Sequence, residues 1–386
     1  MSEWKRVKLD DCLELITYGF TNPMPDTISG PWKVTAKDIV NGRINYSSAR
    51  HTSQDAFENE LTDKSRPIKN DLLLTKDRTL GRLAIVGDEK ICINQSVALL
   101  RVKKNMIYVP YLYYLLSSPL FQGKMLADAS GSTIKHIYIT RVNQLYIPYP
   151  SYNEQVRLAT ILFRYDSLIE NYQKQIKLLE ESAQRLYKEW FIDLRFPGHE
   201  NTKIVDGVPE GWEKKTLDSF CNVFTGKKNA NQGVSNGKYN FFTCGDTPLL
   251  INSYIYDGPA IIISGNGSYT GRTTFYKGKF DLYQRTYACT MKDMQDDNLI
   301  YGLFEIVKCE LTNKISGGTH GAAIPYIVMS DVTKFDFLYE ENVMRTFSSI
   351  MHKILSTSLK YSSQIRHLVE ARDRLLPKLM NGEIEI

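Results

Sequence analysis

Cationic and hydroxyl side chains cluster in glycine-containing loops of this 386-residue chain, and they have the chemistry needed to bind a polyanion. Lys76, Arg78 and Arg82, for example, lie within seven residues of one another. Lysine and hydroxyl groups bind phosphate oxygens, whereas arginine, asparagine and glutamine also pair with base edges. The residues that we predict to contact DNA are Lys76, Arg78, Arg82, Thr133, Lys135, His136, Lys227, Lys228, Asn266, Ser268, Arg272, Arg285, Thr319 and His320.

For any single one of these residues, the alternative is an ordinary solvated loop. The Gly-Arg pair favours a function because it occurs in both halves of the chain, as Gly81-Arg82 and Gly271-Arg272. The run SGNGSYTGR, residues 264–272, lacks the G-K-[ST] ending of a P-loop, and a strand-like run follows it. Binding of a mononucleotide there is therefore disfavoured, whereas contact with DNA phosphates is not.

Motifs of a catalytic or metal site are missing from the sequence. It contains no H-E-x-x-H, no G-x-S-x-G and no cysteine-histidine spacing typical of zinc sites. The tetrapeptide Asn/Asp-Pro-Pro-aromatic, with which amino-methyltransferases hold a flipped base, is also missing. We therefore predict no catalytic residues and no metal ligands.

Composition is typical of a globular protein with a core of its own, at 42% hydrophobic and 24% charged residues. A formal charge of +5 permits a polyanionic partner without requiring one. The six cysteines are scattered, no apolar run is long enough to span a membrane, and the first residues do not resemble a signal peptide. These features predict a soluble, cytoplasmic protein.

The two halves of the chain repeat each other. Trp4, Leu9 and Asp10 recur as Trp212, Leu217 and Asp218, at an offset of 208 residues. Further anchors follow at an offset of 190: Gly81-Arg82 with Gly271-Arg272, Asn94-Gln95 with Gln284-Arg285, and Ala98 with Ala288. A fixed order of matches indicates a duplication, and the drop in offset places a longer early loop region in the first half.

Each half ends in a long amphipathic segment, at residues 154–191 and about 341–380. Apolar residues recur every seven positions, which is typical of a helix with a single seam. We predict that Asn153 caps the first helix and that Pro377 kinks or ends the second. The predicted pairing residues are Tyr165, Tyr172, Leu179, Leu186, Ile354, Tyr361, Leu368 and Leu375. The alternative is that each helix packs only on its own domain.

The rest of the chain alternates short β-rich runs with Gly, Asn, Asp and Pro loops, and it contains helix-like stretches at 107–125 and Leu299–Cys309. We therefore predict an α+β fold with two mixed α/β domains in tandem, at residues 1–150 and 197–335. Each is followed by a long helix, at 151–196 and 336–386, and the two helices pair as an antiparallel coiled coil.

Several short motifs resemble those of a known family. They are Asn153-Glu154-Gln155 opening the first helix, Glu189-Trp190-Phe191 and Arg195-Phe-Pro-Gly198 after the helix, Pro209-Glu-Gly-Trp212 opening the second half, and Leu375-Leu-Pro-Lys-Leu-Met-Asn-Gly-Glu-Ile384 near the C-terminus. Together they are similar to the specificity subunits of type I restriction-modification systems, over essentially the whole chain. A departure is that Ser358 and Arg372 occupy seam positions, which leaves the pairing register open.

The resemblance implies two target-recognition domains, each reading one half of a bipartite, asymmetric site in double-stranded DNA, with half-sites roughly one DNA turn (~34 Å) apart. It implies that the helices act as a spacer and as a docking surface for two methyltransferase subunits, which motor-nuclease subunits join. S-adenosylmethionine, ATP and Mg²⁺ are then expected in the partner subunits and no cofactor in this chain. The alternatives are a solitary methyltransferase or nuclease with an unfamiliar site, and a scaffold without a DNA role.

Overall fold

The computed structural model describes residues 4–127, 136–293, 298–316 and 326–384. The chain forms two compact units, of which unit 1 comprises Met1–Asn171 with Gln364–Ile386, and unit 2 comprises Tyr172–Ser363. Each unit contains one mixed α/β domain and one segment of each long helix. The structure thus divides the helices between the units, whereas the sequence-based division assigned each helix to a segment of its own.

Unit 1 begins with a small sheet and continues into a larger one. Its elements up to the first long helix are β1 Lys5–Lys8, α1 Leu9–Cys12, β2 Leu13–Tyr18, β3 Thr27–Val34, β4 Ile39–Val40, β5 Arg43–Ile44, β6 Arg50–His51, α2 Gln54–Asn59, β7 Leu72–Thr75, β8 Leu83–Ile85, β9 Ile91–Ile93, β10 Val97–Val102, α3 Val109–Ser117, α4 Pro119–Leu126, α5 Ile139–Val142 and β11 Tyr146–Tyr149.

The central sheet of unit 1 has the strand order β2-β10-β7-β8, and all its pairs are antiparallel. Leu72 and Leu74 face a core that includes residues of α3 and α4, whereas Leu73 faces a second core with residues of β3 and β9. Both faces of β7 are therefore buried. This double burial explains why the strand reads as a continuous apolar run rather than as an alternating one.

Unit 2 repeats this plan with fewer, longer strands. Its elements are β12 Ile204–Val205, β13 Val208–Pro209, β14 Glu213–Thr216, α7 Leu217–Phe220, β15 Cys221–Thr225, β16 Tyr239–Phe242, β17 Leu249–Ile251, β18 Tyr256–Ser264, β19 Thr273–Leu282, β20 Thr286–Met291, α8 Leu299–Ser316, α9 Met329–Thr333 and β21 Asp336–Tyr339. The sheet order is β15-β20-β18-β19-β16-β17, so its first four strands correspond to β2-β10-β7-β8.

Main-chain hydrogen bonds correct one detail of the predicted repeat. Lys76 N donates to Ser96 O at 3.0 Å, and in unit 2 Gly265 N donates to Arg285 O at 2.9 Å. Arg285 is therefore equivalent to Ser96 rather than to Gln95, and the predicted matches at 94–98 were wrong by one residue. Some loops between the matched residues are one residue longer in unit 2 and others are one residue shorter. The offset between equivalent residues is therefore not constant along the chain.

The first long helix, α6, spans Tyr152–Tyr187 and continues into a π-helical turn at Lys188–Ile192. Its N-terminal cap is Ser151 rather than the predicted Asn153: Ser151 Oγ accepts from Glu154 N at 3.4 Å, and Glu154 Oε2 accepts from Ser151 N at 2.8 Å. This reciprocal pair satisfies main-chain donors at the helix start.

The second long helix, α10, spans Glu341–Met380, so Pro377 does not end it. A proline removes one N–H donor from the helix, but the following residues still bond to earlier carbonyls. Asn381 N, for example, donates to Pro377 O at 3.1 Å. The last turn is also held by packing, because Leu376, Leu379 and Met380 are buried in the core of unit 1.

Segments of the two long helices meet within each unit. In unit 1, Arg372 Nη1 donates to Asp166 Oδ1 at 2.7 Å, which accounts for one polar residue in the predicted seam. In unit 2, the rings of Tyr172 and Tyr361 stack at 5.0 Å, and Phe347 packs 5.0 Å from Phe191. Residues late in α6 thus meet residues early in α10, as in an antiparallel pair.

The other predicted pairing residues are half-buried rather than enclosed. Leu186 and Ile354 pack against the core of unit 2, and Leu375 packs against that of unit 1. Tyr165, Leu179 and Leu368 are also half-buried. Ser358, the second polar seam residue, has a buried hydroxyl without a hydrogen-bond partner in the described part of the chain.

Candidate nucleic-acid interface

The same loop follows the central strand of each unit. Gly81 N donates to Thr75 O at 2.9 Å after β7, and Gly271 N donates to Ser264 O at 2.8 Å after β18. Both glycines have left-handed φ values, +81° and +83°. A Cβ would lie 2.3 Å from Gln122 Oε1 at Gly81. Glycine is therefore favoured at this position by its left-handed conformation, and a Cβ would also require the Gln122 side chain to shift.

A chain segment from further along the sequence closes each loop at the same place. Ile137 N donates to Lys76 O at 2.9 Å, and Ile327 N donates to Gly265 O at 2.8 Å. Isolated bridges beside these bonds join Asp77 to His136 and Asn266 to Tyr326. The two units therefore present equivalent loops on the same main-chain frame, with different side chains.

The side chains at the base of the unit 1 loop bind one another. Lys76 is only 6% exposed, and its Nζ lies 3.0 Å from Asp77 Oδ2 and 3.4 Å from His136 Nε2. Asp77 also bonds to Nδ1 of the half-buried His136. The predicted contact of Lys76 with DNA is disfavoured by this geometry, because its charge is buried beside a carboxylate.

The repeated arginines hold their loops to preceding segments. Arg82 Nη1 donates to Ile39 O at 3.1 Å. Arg272 Nη1 donates to Asp246 O at 2.9 Å, and the guanidinium lies 3.8 Å from the centre of the Tyr269 ring. The Gly-Arg pair, which suggested base contacts, has a structural contact in both units that explains its repetition.

Arg78, at the tip of the unit 1 loop, is exposed and has a left-handed φ of +63°. Its side chain makes no hydrogen bond or ion pair with the residues that the structure describes. Neighbours on both sides are held, because Asp77 before it bonds to His136, and Thr79 Oγ1 after it donates to Ala36 O at 3.0 Å. The loop, held by these contacts, therefore presents a guanidinium that has no hydrogen-bond or ion-pair partner among the described residues.

In unit 2, the exposed members of the predicted set are Lys227, Ser268 and Arg285. Lys228 turns inward, with Nζ 3.7 Å from the buried carboxylate of Asp281. Asn266 is half-buried at the bridge to Tyr326. Among the predicted residues, only Ser268 is thus exposed on the loop after β18, because Lys227 follows β15 and Arg285 lies between β19 and β20.

Four predicted residues, Thr133, Lys135, Thr319 and His320, lie outside the described residues. Sequence reasoning missed the carboxylates that fix the cations, namely Asp77 and Asp246, whose Oδ1 lies 2.7 Å from Arg272 Nη1, as well as the ring of Tyr269. Asp77 adjoins Lys76 in sequence and could have been suspected as its partner. Asp246 lies 26 residues before Arg272, and only the tertiary structure joins the two.

Charge is distributed unequally between the halves. Residues 1–150 contain 20 Lys and Arg against 15 Asp and Glu, whereas residues 197–335 contain 14 of each kind. The whole formal excess of +5 therefore belongs to the first domain.

Within the described ranges, no group of three or more His, Cys, Asp or Glu side chains is arranged to hold a metal ion. No helix in those ranges has the length and apolar character needed to cross a bilayer.

Comparison with known proteins assigns the chain to a family. Residues 1–181 and 209–337 match the family described as "Type I restriction modification DNA specificity domain". The chain belongs to this family. The tandem match makes it a DNA-recognition component of a type I restriction-modification system, and specificity subunits are the non-catalytic recognition components of such systems.

Individual relatives agree with this assignment. The chain is 28% identical over 384 residues to the type I restriction enzyme MjaIX specificity subunit of Methanocaldococcus jannaschii, covering 92% of this chain and 87% of the relative. It is 30% identical over 182 residues to the EcoDI specificity subunit of Escherichia coli, covering 46% and 39%. The crystal structure of a type I S subunit from M. genitalium has the same fold, with a TM-score of 0.65 at 18% identity, over 98% of this chain and 96% of that one.

Proposed function

We propose that each unit reads one half of an interrupted, asymmetric site in double-stranded DNA, with the loops after β7 and β18 at the interface. The observation that carries this proposal is the shared loop frame: the same main-chain bonds support both loops, whereas their side chains differ. A shared frame favours the same mode of docking on both half-sites, and different side chains favour different bases.

The outer faces of the long helices support a second part of the proposal, the docking of two methyltransferase subunits. Phe163 and Leu168 on the unit 1 segment of α6 are 58% and 45% exposed. On the unit 2 segments, Leu178 and Leu359 are 51% and 44% exposed. A partner that covers these helix segments would bury such apolar side chains, which supports docking there.

In this proposal the chemistry belongs to the partners. Methyltransferase subunits carry S-adenosylmethionine, and motor-nuclease subunits use ATP and Mg²⁺, while this chain supplies recognition and docking. We place the complex in the cytoplasm, where the DNA that it recognises is located. The helices act as the spacer between half-sites.

A domain exchange tests the reading of half-sites. Residues 1–150 are replaced by the corresponding domain of a relative with a different target, and methylated sites are mapped in cells that carry the chain with its partners. We expect one half-site to change while the other half-site and the gap stay the same. A simultaneous change of both halves would contradict the modular proposal.

The alternatives predict other results. A chain that methylates or cleaves DNA on its own, with S-adenosylmethionine and Mg²⁺ supplied, would be an enzyme. A chain whose complex protects no DNA sequence selectively would be a scaffold. Recognition through Lys and Arg also predicts that DNA affinity falls steeply with salt, because bound counterions are released from the phosphates.

A further inference from the structure

The loops after β7 and β18 have different residues at one equivalent position, arginine in unit 1 and glycine in unit 2. This difference indicates that the arginine has a function. Asp77 and Asn266 form the equivalent bridges to His136 and Tyr326, so the residues that follow them, Arg78 and Gly267, are equivalent. Both have left-handed backbones, with φ of +63° and +82°. The conformation is therefore a property of the shared loop and not of either side chain.

Glycine adopts this conformation freely, whereas a residue with a Cβ does so at a cost in free energy. Unit 2 has the unstrained residue and unit 1 has arginine. Arg78 cannot be explained by a contact that holds the fold, because its exposed side chain has no hydrogen bond or ion pair among the described residues. Strained residues that lack a structural reason cluster at functional sites.

The surroundings of Arg78 make it suited to reading a base rather than to binding a phosphate loosely. The loop is fixed on one side by the Lys76, Asp77 and His136 contacts, and on the other by the bond from Arg82 to Ile39 O. The hydroxyl of Thr75 closes it internally by donating to Thr79 O. A guanidinium on a rigid base retains the geometry needed for two parallel hydrogen bonds.

We propose that Arg78 is a specificity-determining residue that reads a guanine, through O6 and N7 in the major groove, in the half-site of unit 1. Arginine pairs with guanine in this bidentate way more often than with any other base. Unit 2 has no long donor at the equivalent position, so it makes no such contact there. The proposal rests on the proposed function, since it assigns one base contact within that interface.

The test uses the full chain assembled with its methyltransferase subunits. The probes are a duplex that contains the methylated sequence mapped in cells and a panel of duplexes with one base pair replaced in each. Wild type is compared with Arg78→Gly, Arg78→Lys and Asn70→Gly. Asn70 is the matched control, because it has a similar φ of +71° in the same unit and lies in the turn before β7.

Arg78→Gly and Arg78→Lys are both expected to lose about 5- to 150-fold discrimination at one G·C pair of the unit 1 half-site, with other positions unchanged. Arg78→Gly is also expected to raise the melting temperature by about 2–4 °C, since it relieves the strained backbone. Asn70→Gly leaves discrimination unchanged. A residue with a structural role would lower the melting temperature instead.

Two results would overturn the proposal. In one, Arg78→Gly weakens binding to every duplex equally and Arg78→Lys restores it, which is the behaviour of a phosphate contact. In the other, discrimination is unchanged in both variants. A wild-type complex that shows no sequence preference would instead contradict the proposed function itself, so the two failures are distinguishable.

Discussion

The two units of this chain share a main-chain frame and differ in how they use charge. Residues 1–150, the domain of unit 1, carry the formal excess of positive charge, bury Lys76 under their loop and present Arg78 at its tip. Unit 2 is balanced in charge across residues 197–335 and has Gly267 at the same place. A duplicated scaffold thus keeps its hydrogen bonds while its exposed groups diverge.

The units differ in a second respect, the contact between their helix segments. In unit 2 this contact is an aromatic cluster in which Phe347 packs on Trp190 and Phe191. In unit 1 it includes an ion pair, because Asp166 accepts hydrogen bonds from Arg372 and from Tyr114. Apolar packing gains free energy from burial, whereas an ion pair fixes geometry with a smaller net gain.

The largest effect is expected from breaking the aromatic contact. Phe347 is fully buried, so Phe347→Ala should destabilise unit 2 by about 3–5 kcal/mol, from lost burial and from the cavity left behind. Denaturant unfolding of the full chain measures this, with the exposed Lys353→Ala on the same helix as control. A loss below about 1 kcal/mol would contradict this expectation, because it would mean that the neighbouring side chains close the cavity.

Breaking the polar contact of unit 1 should have a smaller effect. Asp166→Ala leaves Arg372 and Tyr114 without their shared acceptor, and we expect a loss of about 1.5–3 kcal/mol. Arg372 keeps its hydrogen bonds to Asp373 in this variant, but its Nη1 loses the Asp166 carboxylate. The same change in an Arg372→Met background should therefore cost less, because no guanidinium is left to lose that acceptor. A double-mutant cycle measures the difference, and strictly additive effects would argue against coupling through the ion pair.

Lys227 tests whether unit 2 contacts phosphate despite its balanced charge. This lysine is exposed, so Lys227→Ala should weaken binding to all DNA sequences alike. We expect the slope of log affinity against log salt concentration to become shallower by about 0.9. Lys69→Ala, which removes a lysine paired with Asp88 in unit 1, is the control and should leave the slope unchanged. A change at one base pair only would contradict the phosphate assignment.

The smallest effect concerns a buried carboxyl group that distinguishes the units. Gly81 contacts Gln122 of α4, and the equivalent Gly271 contacts Thr312 of α8, so Gln122 and Thr312 are equivalent. Seven residues earlier in each unit, the buried Glu305 of unit 2 then corresponds to the buried Leu115 of unit 1. Burial raises the pKa of Glu305 above its usual value of 4.5. The folded state then holds the proton more tightly than the unfolded chain does, and the free energy of unfolding falls as pH rises above about 4.5.

Replacing Glu305 by the residue of unit 1 should remove this pH dependence. In Glu305→Leu, we expect the free energy of unfolding to exceed that of wild type at neutral pH, and the difference to shrink as pH is lowered through the titration of Glu305. Denaturant unfolding over about pH 4 to 8 measures both curves. Parallel curves would show that another group causes the dependence.

The sequence predicted those features that depend on local pattern. The duplication, the mixed α/β domains and the two long helices follow from periodicity and from repeated motifs, since burial of one face or of both faces leaves a readable apolar pattern. The helix ends were less predictable. Ser151 rather than Asn153 caps α6, and Pro377 lies within α10, because packing of the last turn compensates for one lost hydrogen bond.

Only the tertiary structure decided which loop cations are free. Lys76, Arg82 and Arg272 have the residue types of DNA ligands, but their charges bind Asp77, Ile39 O and Asp246. The partners of the two arginines come from distant parts of the chain, so no local pattern reports them. Residue type and loop composition therefore determined that the chain carries candidate DNA contacts. The folded loops decided that Arg78 is a cation without a partner among the described residues, since availability depends on what else lies within hydrogen-bonding distance.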